Sequence, residues 1–420
     1  MKTVAFAAAV LLAGPACSAQ PQADRAMTPD VPPQPASATQ PVPANAPLDP
    51  AIRNVPAAAG HANRHQSAPP FAIAPIGQFD APFAMAFLPG GDLLVTEKVG
   101  RMKLRTADGS VAEVAGVPAV AAGGQGGLLD VAPAPDFARS HVVYWTFAEA
   151  GQGGSALALA RGTLTLRQVQ CVSAPCPPQA ALSQAAVIWR SGSNGPGGQF
   201  GASIAFSPDG RFLFLGSGER QRFTPAQDPQ QLLGKIVRLT LDGRPAPGNP
   251  AEPGQLSDIW SSGHRNPYGL VFAPGGRLWE VEMGPKGGDE INLIEPGRNY
   301  GWPIVSNGDN YSGQPIPDHP SRPDLAAPTL WWNPSISPSS MMLYTGAMFP
   351  QYRGSLFVGA MSTAGLIRVT LNGAKASPAE FWDFGARIRD VAQAPDGAIW
   401  LLEDGARGSN GRLLRLTPKP

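Results

Sequence analysis

Charge of one sign, cysteine and long apolar runs are all scarce in this chain of 420 residues, and each scarcity excludes something. Lys and Arg number 32 against 31 Asp and Glu, a formal net charge of +1, and charged residues make up only 15%. No basic patch or stripe marks a nucleic-acid face, so the expected partner is small and not polyanionic. After the first 19 residues no stretch is long and apolar enough to cross a bilayer as a helix. The early run from Val4 to Ala13 follows Lys2 and gives way to small residues through Ala19, which reads as a targeting signal. Two outcomes stay open for it: cleavage after Ala19, or lipid attachment at Cys17, where Gly14 stands in place of the usual apolar residue three positions before the cysteine. Either way the expectation is an exported protein, periplasmic or tethered to a membrane by its N-terminus. Of the 3 cysteines, Cys171 and Cys176 are close enough to close a small disulfide in an oxidising compartment. A metal site is the weaker alternative, because no second pair or nearby histidine completes the ligands.

Glycine and proline are abundant instead, 49 and 47 residues, too many for a helical protein and without a collagen period. Residues 20–69 are dominated by Pro, Ala and Gln and cannot bury enough apolar surface to offset chain entropy, so they read as an extended linker in which His61 and His65 are solvated. From residue 70 to 420 the chain repeats itself. An apolar run, a Pro-containing turn and a second apolar run recur at 85–97, 130–147, 204–219, 270–284, 347–361 and 391–404. Pro-Asp-Gly and Pro-Gly-Gly between apolar residues are hairpin turns, since Pro presets φ and Gly accepts a positive one. A second unit follows several of them, at 100–109, 234–243, 365–373 and 411–418, each a short alternating strand with Arg on its polar side, as expected of an outer blade strand. Six uneven repeats, each able to supply about four strands, predict an all-β fold, a six-bladed β-propeller. The strand from Phe71 to Ile76 is placed to close the ring against the last blade. A β-sandwich is the rival, but its strands would not return six times to one two-part signature.

Propellers place ligand sites on loops at one mouth of the central channel. The loop between Glu282 and Glu290 keeps its side chains small, so carbonyls are free to face a ligand, while Asp289 and Glu290 add negative charge; that suits a hard cation such as Ca²⁺. A tight, ligand-free loop reads equally well. Arg387 and Arg389 fall on one side of a strand, a pair suited to carboxylates or to surface salt bridges.

The stretches GGQGGLLDVAPAPDF, GHRNPYGLVFAPGG, EMGPKGGDEINLIEPGRNYGWP, PSISPSSMMLYTG, FPQYRGSLFVGAM and RIRDVAQAPDG resemble, in order and over about residues 75–416, the signature segments of the soluble aldose sugar dehydrogenases that depend on pyrroloquinoline quinone (PQQ), the glucose/sorbosone dehydrogenase family. The resemblance implies a six-bladed propeller in which Ca²⁺ polarises the quinone, a base takes the proton of the sugar's anomeric hydroxyl, and hydride passes to PQQ. It implies that the carbonyls of Gly284 and Pro285 ligate Ca²⁺, that Asn266, Arg387 and Arg389 contact PQQ, that Gln125 lies beside substrate and cofactor, and that Trp332 is an aromatic at the mouth, with Asn333 shifting that alignment by one.

Two departures qualify it. Where the family reads approximately His-Phe-Gly-Ser-Arg, with the histidine as general base, this chain reads Gln199-Phe200-Gly201-Ala202-Ser203. Glutamine accepts no proton usefully near neutral pH, and a general base contributes about 10²- to 10⁴-fold in rate. Where relatives carry a lysine that contacts the quinone, this chain has Met361, Ser362 and Thr363, and Met283 replaces a common histidine before Gly-Pro. His264 reads as a buried structural residue, His141 and His319 are poorly placed, and Glu219, Asp289 and Glu290 stay open as bases. The reading is then a PQQ- and Ca²⁺-dependent oxidation of an aldose to its lactone, with an external electron acceptor and with activity weakened or altered. The alternatives are a non-catalytic sugar-binding propeller of the same family and a calcium-dependent lactone hydrolase.

Overall fold

The computed structural model describes residues 66–167, 169, 178–192 and 194–420. The targeting segment with Cys17, nearly all of the linker, and the Cys171 and Cys176 pair lie outside the described residues. Among those residues no helix is long and apolar enough to cross a membrane, and the helical pieces are single turns such as Phe137–Ser140.

Everything else of regular structure is antiparallel sheet with two parallel exceptions. The first eight-stranded sheet consists of two four-stranded meanders, from Pro82–Phe87 to Val111–Ala115 and from Leu128–Pro133 to Gln179–Arg190. They join where Ala180 and Ala181 pair in parallel with Val114 and Ala115. Four-stranded sheets follow over Gly201–Phe206 to Ile259–Ser262 and Pro267–Ala273 to Leu330–Trp332. Next comes Pro338–Leu343 to Lys375–Asp383, whose outer edge takes Gln66–Ser67 in parallel. In the last sheet, Ile388–Gln393, Ile399–Glu403 and Arg412–Pro418 are completed by Phe71–Gln78 from the start of the described chain.

The first strand of each meander packs on the first strand of the next, and Ile388–Gln393 packs back on Pro82–Phe87, so the inner strands close on themselves. The core follows from that arrangement. One cluster runs between the first three meanders, and the others each fill the gap between two neighbouring sheets. Second strands, covered on both faces, are mostly apolar: Leu356–Ala360 throughout, and Ile399–Glu403 up to its terminal Glu403. The first strands line a central cavity of about 380 Å³ whose polar lining includes Asp130, Ser203, Tyr268 and Asp390.

The turn prolines place five of the hairpins where the sequence puts them. The fifth differs: its first arm is Pro338–Leu343, upstream of the expected run, and residues 347–355 form the connection, with a 3₁₀ turn at Pro350–Tyr352. The first arm is obscured in the sequence by Ser339 and Ser340, which face the channel region and Gly359 instead of continuing an apolar alternation. The Arg-bearing strands at Arg101–Arg105, Lys235–Thr240, Gly365–Asn372 and Arg412–Pro418 are third strands rather than outermost ones, each with a further strand paired outside it.

Candidate active site

Four loops from successive meanders converge around Gln199. The segment 194–199 is shaped by glycines, and Gln199 itself adopts φ 55°, a left-handed conformation in which its amide N–H turns to Gln125 Oε1 at 2.8 Å. Its side chain is buried at 5% exposure. With the amide oriented by its partners, Nε2 donates to Glu219 Oε1 and Oε1 accepts from Arg265 Nη2 at 2.7 Å. The position the resemblance gives to a base therefore holds an amide wedged between a carboxylate and a guanidinium.

Glu219 is saturated. Arg220, Gln221 and Phe223 all have positive φ, which turns successive backbone N–H groups inward, and those of Gln221, Arg222 and Phe223 donate to the Glu219 carboxylate. Burial pushes Glu219 up from the usual carboxylate range, against the pull of Arg265 and these donors. Asp289 is equally occupied. It accepts from the N–H of Gly284 at 2.8 Å, Ser335 Oγ at 2.6 Å, and the N–H groups of Ile336 and Ser337 at 2.7 and 2.8 Å. Burial still raises it to about 6. It ties the Gly284 loop to the 335–337 loop. Glu290 faces His319 Nε2 at 3.3 Å and Asn292 Nδ2 at 3.4 Å. Of the three carboxylates open as bases from sequence, two are thus fully engaged and the third is held by a buried histidine.

Arg265 links the Gln199 position to the loop after Arg277–Glu282. Its Nη1 donates to the carbonyls of Met283 at 2.8 Å and Gly284 at 2.5 Å, and the guanidinium lies over Trp302, 5.2 Å from the ring centroid. Asn266, 1% exposed, accepts from Gly201 N–H through Oδ1 at 3.0 Å, while its Nδ2 is buried with no partner. A cavity with room for about one water, about 10 Å³, is lined by Arg265, Glu282, Gly284, Pro285, Gly288 and Glu290. Behind it Glu280, Glu282 and His264 offer ligand atoms within 4.8 Å of one another, all buried. There His264 stacks on Tyr300 and bonds Ser261 Oγ at 2.8 Å, the structural role expected of it. Burial, with the Glu282 charge added to it, keeps Glu280 well above the usual carboxylate range.

On the other side of the mouth Arg387 and Arg389 share one carboxylate that sequence reasoning missed. Arg387 Nε donates to Asp404 Oδ2 at 2.8 Å and Arg389 Nη2 to Oδ1 at 2.9 Å, so the two arginines do face one side. Burial would raise Asp404, but Arg389 and Arg387 outweigh it and hold the carboxyl below its usual range. Arg387 also reaches the carbonyl and sulfur of Met361, both at 3.3 Å, so an arginine from the next sheet covers the segment that lacks the expected lysine.

Trp332 requires a correction. It is 1% exposed, pairs with Asp289 in the sheet and packs in the core with Trp279, Val281, Leu330 and Ile336, so its ring has almost no free surface to offer a ligand. Its neighbour Trp331 is the partly exposed one. His141 caps a short helix against Phe137, with no hydrogen bond to any of the site residues named above.

With this geometry in hand, comparison decides the family. The Glucose / Sorbosone dehydrogenase family model matches residues 79–415. The chain belongs to the glucose/sorbosone dehydrogenase family. The aldose sugar dehydrogenase YliI of Escherichia coli (strain K12) is 38% identical over 356 residues, 81% of this chain and 91% of its own. Among solved structures, a glucose dehydrogenase is 41% identical with a TM-score of 0.76, covering 83% of this chain and 100% of its own. The PQQ-bound aldose sugar dehydrogenase of Streptomyces coelicolor is 31% identical with a TM-score of 0.65, covering 84% and 99%. These β-propeller relatives agree with the nearly all-β sheet arrangement of this glucose/sorbosone dehydrogenase family member.

Proposed function

We propose that this chain is an exported, six-bladed propeller that binds PQQ and Ca²⁺ and oxidises an aldose at its anomeric carbon to the lactone, with electrons leaving to an external acceptor. The observation that carries this reading is Asn266 Nδ2, a buried donor left without a partner among Gln199, Arg265 and the Gly284 loop. A buried unsatisfied amide costs about 1 to 3 kcal/mol, and a ligand acceptor would recover it. The family relationship and the PQQ held by the Streptomyces coelicolor relative support the same reading.

The residues fit both groups. Asn266, Arg387 and Arg389 would hold the quinone, and the carbonyls of Gly284 and Pro285 would hold the metal; a cation, the Arg265 guanidinium, already rests on Gly284. Bound there, the cofactor supplies hydride-accepting chemistry and the ion Lewis acidity. Gln125 and Gln199 orient the sugar by hydrogen bonding, and no histidine at position 199 takes the anomeric proton, so turnover is slow. Residues 1–19 serve as the export signal, with Cys17 as the lipid site if the chain is tethered, 20–69 as linker and 70–420 as the propeller.

One observation favours the non-catalytic sugar binder instead: Glu219 and Asp289, the carboxylates nearest Gln199 and the Gly284 loop, have their acceptor sites filled. A single series of experiments separates the two. PQQ is titrated spectroscopically into metal-free protein with and without Ca²⁺, followed by dye reduction over an aldose panel. Saturable Ca²⁺-dependent binding with slow reduction is the expected result, binding without any reduction selects the binder, and no binding ends the PQQ assignment.

A further inference from the structure

The mouth holds more positive charge than Asp404 can neutralise. Lys98 follows the strand Leu93–Glu97, its carbonyl accepting from Leu128 N–H at 3.2 Å. Its Nζ donates to the carbonyl of Gly124 at 2.8 Å, next to Gln125, which in turn accepts from Gln199. The Lys98 N–H donates to the Ala81 carbonyl at 3.0 Å, and Ala81 lies against Gly405, next to Asp404, which brings the ammonium near the arginine pair; burial first, then the Arg389 charge, lower its pKa, and Asp404 opposes them. Of the neighbouring acids, two are paired with other arginines and the third is buried under backbone donors. Glu97 pairs with Arg101, Glu403 with Arg412, and Asp390 accepts from the N–H groups of Met85 and Val391. Lys98, Arg387 and Arg389 thus outnumber the carboxylates beside them, Asp404 and the buried Asp390 that also feels the Arg389 charge, in a half-buried setting where like charges repel strongly.

A fold that holds like charges together in this way leaves them poised for an anion. We propose that Lys98 is a further ligand-binding cation of this site, joining Arg387 and Arg389 around a polycarboxylate ligand; on the reading above, that ligand is the quinone cofactor, and Lys98 stands in for the lysine missing at 361–363. Nothing in the family match assigns it, since it comes from a different repeat.

The test uses the full chain and three proteins: wild type, Lys98→Gln and Lys98→Arg. Glutamine keeps a donor for the Gly124 carbonyl and removes only the charge. In spectroscopic PQQ titrations at fixed Ca²⁺, Lys98→Gln should weaken binding about ten- to a hundredfold and flatten its salt dependence, while Lys98→Arg stays within about threefold of wild type. Equal PQQ affinity in wild type and Lys98→Gln overturns the proposal and leaves the cofactor reading intact. Benzene-1,2,4-tricarboxylate provides a second probe. If wild type binds it but not PQQ, and Lys98→Gln binds it less, the cationic site stands and the cofactor reading fails. Binding of neither probe by wild type overturns both.

Discussion

Two groups of buried cations, one on each side of the mouth, are held by different chemistry. On the Gln199 side they rest on backbone carbonyls. Arg220 donates to the carbonyls of Ser155, Gly195, Gly197 and Gly198 and lies over the Phe200 ring at 3.7 Å, Arg265 rests on two carbonyls, and Lys235 on three. On the opposite side Arg387 and Arg389 share the Asp404 carboxylate. Carbonyls satisfy hydrogen bonds without cancelling charge, so in the first group the positive field is offset only through space, by Glu219 near Arg265 and Arg220, while the donors are spent on shaping loops. The carboxylate cancels one charge and leaves the rest for a ligand. The first side is mechanically locked, and the second is electrostatically unfinished.

The largest effect expected from disturbing this contrast is at the locked side. Gln199→His places an imidazole between the Glu219 carboxylate and Arg265, a pairing that orients a base and raises its basicity. Dye reduction with aldoses should rise about 10²- to 10⁴-fold at unchanged PQQ affinity. No gain in turnover, with PQQ still bound, would mean that the lock itself prevents catalysis and that the binder reading is correct.

At the unfinished side the corresponding change is Asp404→Asn, which retains shape and removes the carboxylate that the two arginines share. Arg389 is 7% exposed, and a buried charge left without its partner costs about 3 to 5 kcal/mol. The denaturant midpoint should fall accordingly. A loss below about 1 kcal/mol would show that solvent or a neighbouring group already screens the arginines, and the contrast between the two sides would narrow.

Much of the fold was legible because turn chemistry is local. Pro208-Asp209-Gly210 and Pro395-Asp396-Gly397 announce their hairpins whatever surrounds them, and Phe71–Gln78 pairs with Arg412–Pro418, the closure onto the last repeat expected of the strand from Phe71 to Ile76. Trp332 failed for a reason of parity: in the pair Trp331 and Trp332 only the strand's register tells which ring faces inward, and register with Asp289 is set across the sheet. Lys98 and Asp404 carried no local signal at all. Lys98 gains its meaning from Arg389 and Asp404, hundreds of positions away, which closure of the sheets brings alongside, and Asp404 gains its own from Arg387 and Arg389, 17 and 15 positions back across the last hairpin. The saturation of Glu219 was equally hidden, since its donors are backbone N–H groups that converge only because Arg220, Gln221 and Phe223 take positive φ.

The smallest predicted effect tests whether carbonyls really leave a cation's charge uncompensated. Lys235 is fully buried, its Nζ donating to Pro225, Ala226 and Leu233 at 2.7, 2.9 and 3.0 Å, and burial pushes the ammonium from 10.5 down to about 7. In the unfolded chain the same lysine keeps its proton up to the ordinary value. Between about 7 and 10.5 the unfolded state therefore binds more protons than the folded one, so raising the pH through this window stabilises the fold and lowering it toward 7 removes that gain. The slope attributable to one such group is at most about 1.4 kcal/mol per pH unit. Lys235→Met abolishes it, at the expense of overall stability because three carbonyls lose their donor. Denaturation measured across this window in both proteins should give a steeper rise for the wild type. Parallel curves would mean that three well-placed carbonyls hold an ammonium as firmly as water does, and the distinction between the two sides of the mouth would then rest on Asp404 alone.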